Sequence, residues 1–235
     1  MGTAALTVFR RQEKKYLLSE EERQYILSRL ETYMCPDEYG EYTVCNVYFD
    51  TEHDDLIRRS LEKPVFKEKL RVRSYGVPTA CDPVFLEIKR KYKGVVYKRR
   101  VTLPYGRLLT YLDTGQHPLE DSQIWNEIEY CMQLYKVQPK LFLAYDRIAF
   151  RGLDMPNLRV TFDSNIRYRQ TRLSLSAGDD GERLLPQGKY IMEIKSDGAI
   201  PLWLCEILDA AQVYPTPFSK YGNVYQKQLQ KVRGA

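Results

Sequence analysis

Charged and apolar residues alternate along several short segments of this chain, as in Lys69-Leu70-Arg71-Val72-Arg73. Successive side chains of a β-strand point to opposite faces, so such a segment directs its charges one way and its apolar residues the other. The same alternation recurs at residues 11–15, 87–91, 98–100, 159–163 and 193–195. Together these segments predict a sheet with one polar face, and the cations on that face predict a polyanionic ligand.

The wider pattern predicts one α+β domain over residues 1–235, with a core at about 9–226. Strands are predicted at about 9–18, 43–49, 66–75, 83–92, 95–103, 140–151, 157–163 and 189–195. Longer helices are predicted from Ser19 to about Tyr33, at 122–136, at about 202–212 and from about Asn223. Shorter helical pieces are predicted after Asp55 and within 104–120. Ser19 and Glu22 have the spacing of a capping box, and Cys35-Pro36 is expected to end the first helix.

Strands in hairpin order predict a largely antiparallel sheet, and alternation leaves open whether that sheet is open or closed. A closed barrel would turn the charged face into a lumen for a narrow anion. The opposite face is apolar and needs helices packed over it. Its predicted residues are Leu70, Val72, Leu86, Ile88, Val160, Phe162, Met192 and Ile194.

The composition is that of an ordinary globular protein, with 43% hydrophobic and 29% charged residues. The balance of 36 Lys and Arg against 31 Asp and Glu is too even for a nucleic-acid coat. Five cysteines without a CxxC pair favour reduced thiols over disulfides or zinc. We also find neither a signal peptide nor a membrane-spanning stretch, so a cytoplasmic protein without membrane insertion is expected.

Arg71 and Arg73 carry the strongest candidate chemistry, because side chains two residues apart on a strand project side by side. Guanidinium groups bind phosphate oxygens in bidentate fashion. Lys89, Lys91, Lys98 and Arg100 add charge from neighbouring strands, whereas Arg99 falls on the apolar face. The alternative is a solvated face with cross-strand ion pairs, which so many neighbouring like charges disfavour in the absence of an anion.

Four acids are predicted on the same strand faces as these bases: Glu13, Glu87, Asp163 and Glu193. They could orient the bases, or hold Mg²⁺ or Mn²⁺ together with phosphate oxygens. No nucleophile triad, P-loop or GxGxxG motif is present, and His53 and His117 are expected on the surface. These exclusions leave phosphoryl transfer as the candidate reaction, because positioned cations and a metal suffice for it without a protein nucleophile.

An ordered set of motifs carries a family resemblance. It comprises RQEKKY at 11–16, LRVRSYG at 70–76, LEIK at 86–89, KRR at 98–100, YDR at 145–147, RVTFD at 159–163, MEIK at 192–195 and FSKY at 218–221. Together these motifs resemble the VTC domain, the polyphosphate polymerase domain of the vacuolar transporter chaperone complex. That domain belongs to the triphosphate tunnel metalloenzymes of the CYTH-like superfamily.

The resemblance implies a closed β-barrel tunnel with a basic and acidic lumen and helices packed outside. It further implies metal-dependent transfer of the ATP γ-phosphate to a growing inorganic polyphosphate, with Mn²⁺ or Mg²⁺. The implied catalytic residues are Lys15, Arg71, Arg73, Lys89, Arg147, Arg159 and Lys220. The implied phosphate-binding residues are Arg11, Lys69, Lys91, Lys98, Arg100, Tyr145, Lys195 and Ser219, with Glu193 as metal ligand and Glu13, Glu87 and Asp163 as supporting acids.

Two departures from the family pattern limit what the resemblance implies. Arg11 occupies the first position of the ExExK strand found in other tunnel enzymes, so a hydrolase-type metal site at that end is not expected. The chain also shows no SPX sensor or membrane segment, so coupling to translocation by this chain alone is not expected, and any membrane-protein partner is unknown. A tripolyphosphatase or nucleoside triphosphatase, and a non-catalytic polyphosphate or nucleotide binder, remain as alternatives.

Overall fold

A computed structural model describes residues 12–93, 95–118 and 122–233. The strands are β1 Gln12–Ser19, β2 Met34–Asp50, β3 Phe66–Tyr75, β4 Pro83–Tyr92, β5 Val95–Pro104, β6 Gln138–Gly152, β7 Arg159–Arg169, β8 Glu182–Arg183 and β9 Lys189–Ser196. The helices are α1 Glu20–Leu30, α2 Asp55–Leu61, α3 Tyr105–Thr114, α4 Gln123–Tyr135, α5 Leu202–Ala210 and α6 Lys220–Arg233, with a short 3-10 helix at Leu175–Ala177.

The strands form one antiparallel sheet in the order β1-β9-β7-β6-β2-β3-β4-β5, with β8 paired to β7. The predicted α+β class and antiparallel sheet are therefore confirmed. Both β3 and β4 have the predicted bounds, because the period-two alternation there is unbroken.

The prediction of a closed barrel is wrong for the part of the chain that the structure describes, where β1 and β5 are the ends of the sheet. The backbone N–H of Thr216, in the segment before α6, donates to the Lys15 carbonyl on β1 at 2.7 Å. That bond occupies an edge group of β1 that closure would need. Alternation determines which face is polar, whereas closure depends on strand tilt and stagger.

The open sheet nevertheless curls strongly. The Lys89 Nζ on β4 lies 3.3 Å from the Glu13 Oε2 on β1, although six strand-to-strand steps separate these strands. In a flat sheet those steps would span roughly 29 Å. The sheet therefore has a concave face on which a side chain of the edge strand β1 meets one of β4, next to the other edge.

Helices α1, α3, α4 and α5 cover the convex face, as predicted. One apolar core lies under α3 and α4 around Leu86, Ile88 and Trp125. A second lies under α1 and α5 around Val160, Phe162 and Met192. All eight apolar residues assigned to this face are buried in these two cores.

The remaining helices, α2 and α6, contradict the expectation that helices lie only outside. They share a third core with concave-face residues, where the Tyr221 ring of α6 lies 5.0 Å from the Tyr48 ring of β2. Helix α6 thus packs into one end of the curled sheet. No helix of the described ranges is long and apolar enough to cross a membrane.

Several local predictions are resolved. The capping box of α1 is confirmed, since Ser19 and Glu22 exchange both hydrogen bonds. The helix ends at Leu30, however, and Cys35-Pro36 lies inside β2, where a register shift after Pro36 tolerates the missing N–H. Helix α6 begins at Lys220, earlier than predicted, and the two-residue strand β8 was not predicted. All five cysteines are free, and both histidines are exposed.

A cationic candidate site on the concave face

Backbone register aligns the predicted bases in rows across the concave face. Lys69 of β3 is paired with Lys89 of β4, which is paired with Lys98 of β5. The next row is Arg71, Glu87 and Arg100. Because directly opposed residues share a face, these side chains project into one space. Arg99 points to the convex side, where its Nε lies 3.7 Å from the Glu127 carboxylate of α4. The prediction that Arg99 lies on the face opposite Lys98 and Arg100 is therefore confirmed.

Glu87 orients the bases of this region. Its carboxylate accepts from the Arg71 Nε at 2.9 Å and lies 2.5 Å from the Lys98 Nζ, with only 1% of the residue exposed. Burial alone would raise the pKa of Glu87, but Arg71, Arg73 and Lys98 together lower it to about 2. Glu87 is therefore a fixed negative charge that holds the guanidinium of Arg71 in place.

Asp163 of β7 organises a second group of bases. It is fully buried and accepts from the Arg147 Nε at 2.6 Å and Nη2 at 2.9 Å. Lys220, the first residue of α6, donates to the same carboxylate. The Lys220 Nζ and the Arg147 guanidinium also lie 4.3 and 5.0 Å from the centre of the Tyr145 ring. Three predicted site residues thus meet around one predicted supporting acid.

Glu193 of β9 lies beside a third group. It is buried, its Oε1 lies 2.9 Å from the Lys195 Nζ, and Lys15 is its register partner on β1. Burial would raise the pKa of Glu193, but Lys195, Lys15, Lys220 and Arg147 hold it well below its usual value. Glu13 accepts from Lys15 and Lys89, and these cations lower its pKa although burial and the nearby Glu193 carboxylate would raise it.

These two acids determine whether a divalent metal fits. Within the described residues there is no group of three acidic, histidine or cysteine side chains suited to a metal ion. Mg²⁺ is commonly bound by one or two carboxylates, with substrate phosphates and water completing the shell. Glu193, with Glu13 close by, fits that mode.

The concave face carries an excess of positive charge. Burial raises the pKa of the Tyr48 and Tyr145 phenols, yet Arg71 lowers that of Tyr48, and Arg147, Arg73 and Lys220 lower that of Tyr145, below the ordinary value. Burial lowers the pKa of Lys69 to about 8, and neighbouring lysines add to the effect. Phenols whose pKa values fall despite burial indicate cations that lack enough counter-charge, whereas the lowered pKa of Lys69 comes mainly from burial.

Other predicted site residues lie at the margins. Lys91 and Arg100 are exposed, and the Arg159 Nη2 pairs with Asp37 at 3.4 Å with half of its side chain exposed. Arg11 lies outside the described residues. Arg73 is central, since its Nε donates to the Asn46 Oδ1 at 3.1 Å and its Nη2 to the Tyr145 hydroxyl at 3.4 Å.

Sequence reasoning missed Asp50 and Tyr221, which anchor the start of α6 together with the predicted residues Ser219 and Lys69. Ser219 accepts from the Lys69 Nζ at 2.9 Å, and the Tyr221 hydroxyl donates to buried Asp50 at 3.0 Å. Asp50 also accepts the backbone N–H groups of Leu56 and Ile57 in α2. Two features of the sequence could have identified these residues: Asp50 ends a β-rich run, and Tyr221 directly follows Lys220. This anchor holds Ser219 and Lys220 on the concave face.

Comparison with known proteins decides the family. Residues 10–228 match the family model of the VTC domain. The chain belongs to the VTC domain family. No curated protein matches the sequence.

Solved structures resemble this VTC domain in fold. An adenylate cyclase-like protein of Bacillus halodurans matches with a TM-score of 0.55 at 15% identity, covering 89% of this chain and 95% of that protein. The adenylyl cyclase-like protein HpAC1 of Hippeastrum, described as having a dominant triphosphatase activity, matches with a TM-score of 0.53 at 18% identity over 89% and 92%. A protein of Vibrio parahaemolyticus with an adenylate cyclase description matches with a TM-score of 0.50 at 10% identity over 92% and 98%. At these identities the likeness shows the fold alone.

The buried carboxylate of Asp163 generates a stability prediction. Asp163→Asn should lower the free energy of unfolding by about 3–5 kcal/mol, because it leaves Arg147 and Lys220 buried without their counter-charge. Urea denaturation followed by circular dichroism measures the change. Tripolyphosphate should recover part of the loss in the variant by neutralising the same two cations.

Asp37→Asn is the matched control, since it removes the same charge from an ion pair whose arginine side chain is 50% exposed. The expected loss is below about 1 kcal/mol. Equal losses in the two variants would contradict the assignment of Asp163 as the organising charge.

Proposed function

We propose that this VTC domain is a metal-dependent polyphosphate polymerase that transfers the γ-phosphate of ATP to the end of an inorganic polyphosphate chain. The observation that carries the proposal is the set of cations that strand register and ion pairs bring together on the concave face, in excess of the acids between them, within a chain of this family. A linear polyanion is the ligand whose charge such an elongated face complements.

The proposed binding mode assigns the phosphates to the centre of the face. Arg71 and Arg73, presented by β3, would hold one side of the triphosphate, and Arg147 and Lys220 the other. Their present partners, Glu87 and Asp163, keep these cations aimed inward without neutralising all of them. Preorganised cations of this kind stabilise charge that shifts during phosphoryl transfer and need no rearrangement at the moment of reaction.

The reaction would balance without a protein nucleophile. A terminal oxygen of the polyphosphate attacks the γ-phosphorus of ATP, a new P–O–P bond forms, and the bond from that phosphorus to the β–γ bridging oxygen breaks to release ADP. Lys69, with a pKa of about 8, is mostly protonated at neutral pH and would donate a hydrogen bond to phosphate oxygen. Glu193, with Glu13, would hold a divalent ion, which supplies further charge neutralisation when bound.

The low pKa values of the site carboxylates favour phosphate over water as the nucleophile. A water molecule needs a general base, and an effective base has a pKa near the working pH. The four acids assigned to the site, Glu13, Glu87, Asp163 and Glu193, have lowered pKa values, because cations surround them. A phosphate oxygen is already ionised and needs no base. The charge environment therefore supports transfer to phosphate.

A triphosphatase is the second candidate function. The fold neighbour from Hippeastrum is described with a dominant triphosphatase activity. The concave-face cations of the present chain would bind a triphosphate substrate equally well. A non-catalytic polyphosphate or nucleotide receptor is the third. These readings differ in the products that they predict.

The test is to incubate the purified protein with ATP and Mn²⁺ or Mg²⁺ and to measure ADP, free phosphate and phosphate polymer. We expect ADP, with the transferred phosphate recovered in polymer by ³¹P NMR and gel electrophoresis. Glu193→Gln should reduce kcat by about 100-fold or more. Metal-free tripolyphosphate binding should persist in that variant, because the cations remain.

Glu127→Gln is the control, because Glu127 pairs with Arg90 at 3.2 Å on the convex side. Its turnover should match that of the unchanged protein. Free phosphate equal to ADP, without polymer, would establish the triphosphatase instead. Polyanion binding with no turnover under any metal would establish the receptor.

The low pKa of Lys69 predicts a pH effect on binding. A lysine with a lowered pKa loses its charge as the pH rises through about 8, and a bound polyanion favours the charged form. Tripolyphosphate affinity should therefore fall between about pH 7 and pH 9.5 more steeply in the unchanged protein than in Lys69→Arg, whose guanidinium stays protonated. Isothermal titration calorimetry should also detect proton uptake on binding near pH 8 in the unchanged protein.

Lys140→Arg is the control, since the Lys140 Nζ pairs with Asp54 at 3.2 Å. Its pH profile should follow that of the unchanged protein. Comparing proteins at each pH cancels the ionisation of tripolyphosphate itself. Parallel profiles for Lys69→Arg and the unchanged protein would show that Lys69 does not contact the anion.

A further inference from the structure

Four aromatic side chains form a continuous group at one end of the concave face: Tyr39, Tyr42, Tyr75 and Phe85, called here the aromatic rim. Successive ring centres lie 6.2, 5.6 and 5.6 Å apart, and each pair meets edge to face. Tyr39 is 70% and Tyr75 55% exposed. Core packing therefore does not account for Tyr39 and Tyr75, which present ring surface to solvent beside the cationic site.

The aromatic rim adjoins the central arginines. Phe85 is the register partner of Arg73, and Tyr42 is the register partner of Arg147. Tyr75 comes two residues after Arg73, about 7 Å farther along β3. Phe85 and Tyr42 therefore share the face of the arginines and lie level with them, and Tyr75 extends the group beyond Arg73.

Two further observations locate the aromatic rim. The Arg100 guanidinium lies 4.7 Å from the centre of the Phe85 ring, so a cation borders the group. The opposite end of β2 carries Asp50, which binds Tyr221 of α6. The rim thus lies at the end of the concave face that α6 does not fill.

We infer that the aromatic rim stacks the base of a nucleoside triphosphate whose phosphates bind the adjacent arginines, an inference that rests on the proposed function. Every nucleobase has a flat π-face, and stacking on aromatic side chains tolerates different bases. In a nucleoside triphosphate the base lies beyond one end of the phosphates, separated from them by the ribose. Arginines followed by exposed rings reproduce that order.

The consequence is a division of labour on the concave face. Inorganic polyphosphate has no flat apolar group, so the aromatic rim contributes nothing to its binding. The rim would therefore distinguish the nucleotide donor from the polymer, while the arginines bind both. Stacking also predicts modest preference among bases, with purines bound more tightly than pyrimidines because their rings are larger.

The test compares two ligands at equilibrium, the β,γ-imido analogue of ATP and tripolyphosphate, by isothermal titration calorimetry. Tyr75→Ala should weaken binding of the analogue about tenfold. Tripolyphosphate binding should stay within about twofold. Tyr75→Phe keeps the ring and should retain the affinity of the unchanged protein for both ligands.

Tyr92→Ala is the control, because Tyr92 is a 46% exposed tyrosine at the other end of β4. It should change neither affinity. Equal weakening of both ligands by Tyr75→Ala, or unchanged binding of the analogue, would overturn the stacking inference while leaving the proposed function intact. Failure of the unchanged protein to bind tripolyphosphate would overturn both.

Discussion

Mutual repulsion among cations inside a curled sheet is the constraint on which the other features of this domain depend. Bases from seven elements converge on one face: β1, β3, β4, β5, β6, β9 and α6. The acids on that face are fewer than the bases and do not neutralise them all. Asp163, Glu87 and Glu193 each sit between bases and hold them in fixed directions, at the cost of desolvating charges that water would otherwise stabilise. The lowered pKa values of Tyr48 and Tyr145 record the positive potential that remains. A bound polyanion would supply the missing charge.

The curled sheet and α6 share the task of holding this charge together. The contact between Glu13 and Lys89 brings the edge strand β1 within reach of β4, although backbone pairing does not join these strands in the described residues. Residues Ser219, Lys220 and Tyr221 attach the start of α6 to Lys69, Asp163 and Asp50. One helix end thus bonds to three strands. The opposite end of the concave face carries the aromatic rim, so the site has two chemically different ends.

Period-two alternation predicted the strands and the direction of their side chains, but not the contacts between distant parts of the chain. Alternation correctly predicted the bounds of β3 and β4 and separated Arg100 from Arg99, because facing is a local property of a strand. It could not predict that β1 and β5 stay unpaired with each other within the described ranges, since tilt, stagger and the Thr216 contact on β1 are properties of the whole fold. It also missed the placement of α6 and the meeting of Tyr42, Tyr75 and Phe85. Those residues are separated along the chain and come together only through strand register. The roles of the individual site residues remain predictions.

A crystal structure of the protein soaked with tripolyphosphate and Mn²⁺ tests the central claim most directly. We predict a phosphate chain along the concave face, in contact with Arg71, Arg73, Arg147 and Lys220, with the metal between a phosphate oxygen and Glu193. Tripolyphosphate bound on the convex surface, or a concave face that stays free of phosphate at saturating ligand, would contradict the account.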